Sequence, residues 1–150
     1  MRAPGSAPPR RAPLRRRTLD DLRPLVRAGQ YRLGPHASRH AVCEGFAERD
    51  VVDAVLFGRE LVRYPEDERL LVLGYLSVSR DVRIPLHVVL EYRRARWVDV
   101  VTAFIPDEAH RPISRRRLAE ILRYDRHVVA LQRTPGRPKG RSGQGGDGSA

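Results

Sequence analysis

Three apolar runs separated by short polar turns lie between Leu70 and Asp107, and they limit what this chain can fold into. They read LLVLGYLS, PLHVVLEY and RWVDVVTAFI, and each has the length of a β-strand. The links between them are too short to hold a crossover helix, so the three strands are predicted to be antiparallel neighbours.

The sequence ahead of these strands contains alternating helix and strand signals. Thr18 and Asp21 have the spacing of a capping box, and Gly29, Gly45 and Gly58 are predicted to end helices, with a left-handed cap at Gly58. The predicted order is a helix over 18–28, a strand over 31–33, helices over 36–44 and 48–57, and an edge strand over 60–64. The predicted fold class is therefore α+β: a twisted antiparallel sheet of four or five strands, two helices packed on one face, and an extra helix at each end.

Composition divides the chain into a central domain and two tails. The predicted segments are a disordered basic tail (1–17), an N-terminal helix (18–30), a core domain (31–107), a C-terminal helical appendage (108–132) and a second disordered tail (133–150). The tails are rich in Pro, Gly and Arg and carry +6 and +3 of the net charge of +11. Because the rest of the chain is nearly neutral, the tails are the part predicted to hold phosphate non-specifically. Ser114 is predicted to cap the appendage helix, which would run to about Tyr124.

Cysteine usage and hydropathy exclude several classes of protein. Cys43 is the only cysteine, so the chain forms no internal disulfide and agrees with a cytoplasmic location. We predict that Cys43 is a buried structural thiol. The sequence contains no apolar run near the ~20 residues that cross a bilayer, and we expect no membrane partner.

The turn between the last two apolar runs sets a register that can be stated in advance. A two- or four-residue loop centred on Arg94-Ala95 places His87 directly opposite Thr102, and Val89 opposite Val100. His87 and Thr102 would then share the less apolar face. The other face would collect Leu86, Val88, Leu90 and Tyr92 with Ala103, Val101 and Trp97. A three-residue loop would shift the pairing by one and separate His87 from Thr102.

Six short motifs stand in one order along the chain. They are His36-Ala37, Asp50-Val51, Tyr64-Pro65, Leu71-Val72-Leu73-Gly74, Pro85-Leu86-His87-Val88-Val89 and Thr102-Ala103-Phe104-Ile105-Pro106-Asp107. This order resembles the domain-of-unknown-function family numbered 4258 over about residues 31–107. The resemblance implies a fold related to RelE/ParE-like toxins, a metal-independent ribonuclease or an inactive relative, and a cognate antitoxin as partner. The chain departs from the family pattern at His40, where the pattern has Arg, and at Cys43-Glu44, where it has Glu-Arg.

Two groups of residues are candidates for chemistry. His36 and His40 are four residues apart and share a helix face, so they could form an acid–base pair for ribose 2′-hydroxyl chemistry. They could instead begin a metal site, although Ala37 replaces the Glu of a zinc hydrolase motif, or simply cap and flank the helix. His87 and Thr102 could line a phosphate-binding surface, or the Thr hydroxyl could satisfy a half-buried imidazole.

The function predicted from this sequence is a RelE-like, toxin-type RNA-cleaving domain that uses no metal or cofactor. His36 and His87 are the candidate acid and base, with Thr102 as a positioning group, and Arg39, His40 and Arg32 as substrate ligands. The alternative is a non-catalytic module that binds RNA or a protein. Trp97 and Tyr92, among Arg93, Arg94 and Arg96, could stack bases or form a cross-strand aromatic pair beside a solvated turn.

Overall fold

The computed structural model describes residues 17–123 and confirms the predicted α+β fold. The helices are α1 (Leu19–Arg27), α2 (Pro35–Glu44), α3 (Glu48–Phe57) and α4 (115–123), and the strands are β1 (Tyr31–Leu33), β2 (Arg59–Tyr64), β3 (Arg69–Ser77), β4 (Arg83–Glu91) and β5 (Val98–Phe104). The predicted tails lie outside the described residues, apart from Arg17. Within residues 17–123, every helix is too short or too polar to cross a bilayer.

Local signals begin and end the helices as the sequence indicates. Thr18 Oγ1 accepts a hydrogen bond from the Asp21 amide, and the Asp21 carboxylate accepts one from the Thr18 amide, which completes the capping box of α1. Gly45 ends α2 at a φ of +79°, in the left-handed region that favours glycine. Gly58 ends α3 as predicted, but the left-handed cap predicted for it is wrong, because its backbone is extended at a φ of −81°. These caps fix the entry and exit of the helices that cover the sheet.

The five strands form one sheet in the order β1-β5-β4-β3-β2. Strands β2 to β5 pair antiparallel, whereas β1 pairs parallel to β5, so the sheet is mixed. The last two strands pair with His87 opposite Phe104 and with Leu90 opposite Val100. Between these pairs the register shifts by one, because Val101 is an extra residue that forms a β-bulge in β5.

Helices cover both faces of the sheet. On one face, α1, α2 and α3 enclose a first cluster, which includes Leu22, Val51, Val55, Val72, Leu86, Val88, Leu90, Val98, Val100 and Ala103. On the other face, α4 encloses a second cluster of Tyr64, Leu71, Val89, Leu118 and Leu122. Each strand therefore alternates between two buried sides, which explains why the apolar runs are nearly continuous.

Helix α4, predicted as an appendage, is attached to the sheet by polar contacts as well as by Leu118 and Leu122. The Tyr64 hydroxyl donates to the carbonyl of Ile113 at 2.6 Å. Arg115 Nε donates to an Asp67 carboxylate oxygen at 2.7 Å. Burial raises the pKa of Tyr64 to about 12, so its hydroxyl stays protonated as a donor at neutral pH. The described part of α4 therefore contacts the sheet through both apolar and polar side chains.

Candidate functional site

His87 lies in the middle of β4 and is almost completely buried. A row of paired residues crosses the sheet here, from Arg59 through Leu73 and His87 to Phe104. The segment leading to α4 covers this row, and His87 keeps only 1% of its surface exposed. The imidazole packs edge-on against the Phe104 ring, with centroids 5.6 Å apart. Its surroundings are those of a core residue.

A single backbone contact fixes the protonation pattern of the His87 ring. Nε2 lies 2.7 Å from the carbonyl oxygen of Ala109. Because a carbonyl only accepts, Nε2 carries the hydrogen, and Nδ1 of the neutral ring is an acceptor. Nδ1 is buried and has no hydrogen-bond partner among residues 17–123. Burial lowers the pKa of His87 below its ordinary value of 6.5, against the opposing effect of the Ala109 contact.

Thr102 shares the face of His87 but is not opposite to it. Thr102 pairs with Val89, and His87 pairs with Phe104, so the predicted direct pairing is wrong. The shared face is confirmed, because the two residues are diagonal neighbours on the second-cluster side. Thr102 Oγ1 is buried and, within the described part of the chain, lacks a hydrogen-bond partner. The carbonyl of Ala109 therefore takes the role that the sequence assigned to the Thr102 hydroxyl.

The predicted pairing of Val89 with Val100 is also wrong. Val100 pairs with Leu90 in the first cluster, whereas Val89 belongs to the second. The loop between β4 and β5 causes this difference, because it sets a register one residue away from the predicted one and puts Val101 beside the second cluster instead of the core face predicted for it. Trp97, predicted for that same core face, is exposed.

The α2 candidates lie at the end of β5 that carries Phe104. His40 packs against Phe104 with ring centroids 6.2 Å apart, and its Nδ1 lies 3.5 Å from a Glu44 carboxylate oxygen. The same Glu44 oxygen accepts from the Ile105 amide at 3.3 Å. His36 and Arg39 lie on the same helix and are partly buried. It is thus His40 that approaches His87, through the ring of Phe104.

Arg32 lies at the opposite end of β5 from this group. It is exposed on β1, and its guanidinium carbon is 5.8 Å from the centroid of the Trp97 ring. Trp97 directly precedes Val98. The six residue steps from Val98 to Phe104 correspond to about 20 Å along a strand. The predicted site residues therefore form two groups at two ends of the sheet, and no single substrate-sized site holds both.

Proton transfer at His87 has little geometric support. A general acid or base must come within hydrogen-bond reach of its substrate. One nitrogen of His87 is bonded to Ala109 and the other is buried. A cleft of about 570 Å³ does open beside the ring, between Arg111 and Arg117, but Nδ1 has no surface facing it. The geometry favours the interpretation of His87 as a hydrogen-bonded core residue, and its catalytic role stays a prediction.

Acidification is expected to destabilise the domain through His87. Because the pKa of His87 is lowered by folding, the unfolded chain binds the proton more readily than the folded domain. The free energy of unfolding is therefore highest above the unfolded pKa of about 6.5 and decreases as the pH falls below it. Urea unfolding of the wild type and of His87→Gln at pH 7.5, 6.5 and 5.5 measures this effect. The wild type should lose more free energy of unfolding across this range than His87→Gln. Equal losses would show that His87 titrates normally.

Cys43 is exposed at the end of α2, so its predicted burial is wrong. Like its sequence neighbours Val42 and Glu44, Cys43 is exposed, and it lies away from the buried stripe formed by Ala37 and Ala41. Helical spacing alone could have indicated this, because position 43 is out of phase with that stripe. Among residues 17–123, no three His, Cys, Asp or Glu side chains are grouped as metal ligands.

Sequence reasoning also missed two contacts that shape the surface. Arg17, placed in the disordered tail, donates to the carbonyls of Arg94 at 2.7 Å and Ala95 at 2.6 Å. Tyr92 is buried and contacts Arg63, so it is not part of an exposed aromatic pair with Trp97. Neither contact has a local sequence signal, because each joins residues far apart in the chain.

Comparison with protein-family models, curated proteins and solved structures found no match to this chain. The resemblance to family 4258 therefore stays a prediction, as do the ribonuclease activity and the antitoxin partner that it implies.

Proposed function

We propose that this domain binds single-stranded RNA at the hairpin-end surface, formed by Arg32, Arg93, Arg94, Arg96 and Trp97. All five residues are exposed, and they cluster where β4 turns into β5 beside β1. A surface that binds single strands combines arginines, which contact phosphates, with an aromatic ring, on which a base stacks. The proposal corresponds to the non-catalytic alternative predicted from the sequence.

The contact between Arg32 and Trp97 carries the proposal. The guanidinium lies over the indole at 5.8 Å, while Trp97 keeps 38% of its surface exposed. This arrangement holds a flat aromatic surface next to a positive charge, and a base can stack on the ring while its phosphate meets the guanidinium. Trp97 has no role in either core cluster that would otherwise explain its position.

The neighbouring charges strengthen this surface. Arg94 lies 3.8 Å from Asp99 in an exposed pair, which neutralises little of its charge. Arg17 donates hydrogen bonds to the carbonyls of Arg94 and Ala95, which places a further arginine beside this surface. Phosphate contacts from these arginines would add affinity that depends on salt but not on sequence.

Trp97→Ala is expected to weaken RNA binding by about 5- to 150-fold, because stacking of one base contributes ~1–3 kcal/mol. Binding of a fluorescein-labelled 12-nucleotide poly-U RNA can be measured by anisotropy at fixed salt. Because Trp97 is the only tryptophan, quenching of intrinsic fluorescence by unlabelled RNA reports stacking directly in the wild type.

A second test variant and a matched control complete the RNA experiment. Arg32→Ala should weaken binding, whereas Arg80→Ala, which removes the same charge from the β3–β4 turn, should change the affinity by less than about twofold. If Trp97→Ala binds RNA as the wild type does and RNA leaves the Trp97 fluorescence unchanged, the hairpin-end surface is not the binding site. Incubation of the same RNA with the protein in EDTA tests for cleavage in parallel.

A further inference from the structure

Strand β3 has an open edge over its last four residues. Strand β4 pairs with β3 along its whole length, from Arg69 to Ser77, whereas β2 pairs with it only from Arg69 to Leu73. On the β2 side, the backbone groups of residues 74–77 therefore have no strand partner in the described part of the chain. The sequence GYLS contains neither the charges nor the proline that commonly protect such edges.

Helix α3 forms a wall beside this open edge. Arg49, Asp53 and Phe57 follow one another at intervals of four residues, so they share one face of the helix. That face and residues 74–77 line a groove of about 630 Å³. The helix is held over the strand at Gly74, where an added Cβ would lie 2.4 Å from the Ala54 Cβ. The groove thus has a rigid helix on one side and free hydrogen-bonding groups on the other.

Two aromatic side chains in this groove are exposed. Phe57 keeps 81% of its surface exposed and Tyr75 keeps 42%. Large apolar side chains grouped on a surface mark sites of interaction. Gly74 faces α3, so Tyr75 lies on the opposite face of the sheet from the helix that carries Phe57. The two rings therefore suit an occupant whose backbone pairs with the open edge and whose two faces each contact one ring.

The charges of the groove indicate the chemistry of its occupant. Arg49, Arg59 and Arg83 line it. None of them forms an ion pair with another residue of 17–123, although the Arg59 guanidinium lies 2.9 Å from Nδ1 of His110. Of the two acids that line the groove, Asp50 accepts the Ala47 amide as a helix cap, and Asp53 is the second acid, on the same helix face as Arg49. A second copy of this chain would bring three more arginines against these three. An acidic segment is complementary instead.

We propose that this groove binds an extended acidic peptide segment of a partner protein, which adds to the sheet as a sixth strand beside residues 74–77. Its backbone pairs with the open edge, its carboxylates contact Arg49 and Arg83, and its apolar side chains contact Phe57 and Tyr75. This surface is separate from the hairpin-end surface, so the proposal does not depend on RNA binding.

A random 12-residue peptide library displayed on phage, selected against the full chain, supplies the probe. We expect enrichment of peptides that combine acidic residues with apolar residues on both faces of an extended chain. For the best of these peptides as a synthetic molecule, the charge reversals Arg83→Glu and Arg49→Glu should each weaken binding by about tenfold or more. Arg80→Glu, an exposed charge reversal outside the groove, is the matched control and should leave the affinity unchanged.

Amide hydrogen exchange distinguishes strand addition from binding through ion pairs alone. Bound peptide should slow the exchange of amides within residues 75–77 that are unprotected in the free protein. Failure of the library to enrich any peptide, or enrichment of peptides that bind Arg83→Glu and wild type equally, would overturn the proposal. The proposal would also be overturned if another occupant slowed the exchange of the same amides. Poly-U RNA, a second copy of the chain, and residues 124–150 are the occupants to be tested.

Discussion

Gly74→Val is expected to reduce the free energy of unfolding by about 3 kcal/mol, the upper part of the range for overpacked cores. A Cβ at position 74 would lie 2.4 Å from the Ala54 Cβ and 2.5 Å from the Ala54 Cα. The second of these neighbours is backbone and cannot turn aside, so α3 must move away from β3. This movement would disturb the packing of Val51 and Val55, which are almost fully buried.

Urea unfolding monitored by circular dichroism measures the effect of Gly74→Val. Tyr75→Val is the matched control, because it places the same side chain one residue further along β3 but on a partly exposed side, where a change of less than about 1 kcal/mol is expected. If Gly74→Val is too unstable to purify, Gly74→Ala provides a milder variant that still meets Ala54. Wild-type stability of both Gly74 variants would show that α3 does not pack on the strand at this point.

Leu118→Ala is expected to destabilise the domain by ~2–5 kcal/mol, as for other fully buried leucines. Leu118 keeps 2% of its surface exposed and belongs to the second cluster with Tyr64, Leu71 and Val89. Its removal would leave a cavity beneath α4 that neighbouring strands cannot fill, since Leu71 and Val89 are held in the ladder.

Thermal unfolding of Leu118→Ala tests whether α4 belongs to the core or is the appendage that the sequence predicts. Arg116→Ala is the control on the same helix, since the Arg116 side chain is 91% exposed and lies in a weak surface pair with Glu120 at 3.8 Å. An unchanged midpoint for Leu118→Ala, equal to that of Arg116→Ala, would show that the helix contributes no stability. A single cooperative transition at lower temperature is the expected result.

Element boundaries were predictable because their signals are local. The capping box at Thr18, the helix end at Gly45 and the apolar stripe of α3 all depend on residues within a few positions of one another. The partner of β1 was not predictable in this way. Its parallel pairing with β5 joins Tyr31 to Val98, and no short-range pattern specifies such a distant neighbour.

The site was predicted less well, because it depends on register. The loop between β4 and β5 pairs Leu90 with Val100, one residue away from the predicted register, and this shift alone would have put His87 and Thr102 on opposite faces. The bulge at Val101 adds a second shift of one and returns them to the same face. The shared face was thus predicted correctly although the register was not. The bond from His87 to Ala109 had no sequence signal, since the acceptor is a backbone carbonyl in a loop.

The bulge also bears on how the length of β5 can change. Deleting one residue from a strand normally turns every following side chain to the wrong side of the sheet. Here Val100 pairs with Leu90, and Thr102 pairs with Val89, its immediate neighbour on β4. Without Val101 the alternation of β5 would be regular, and each remaining residue would keep its partner and its cluster. Position 101 is therefore a point in the centre of the fold where the chain can be one residue shorter without a change in which side chains are buried.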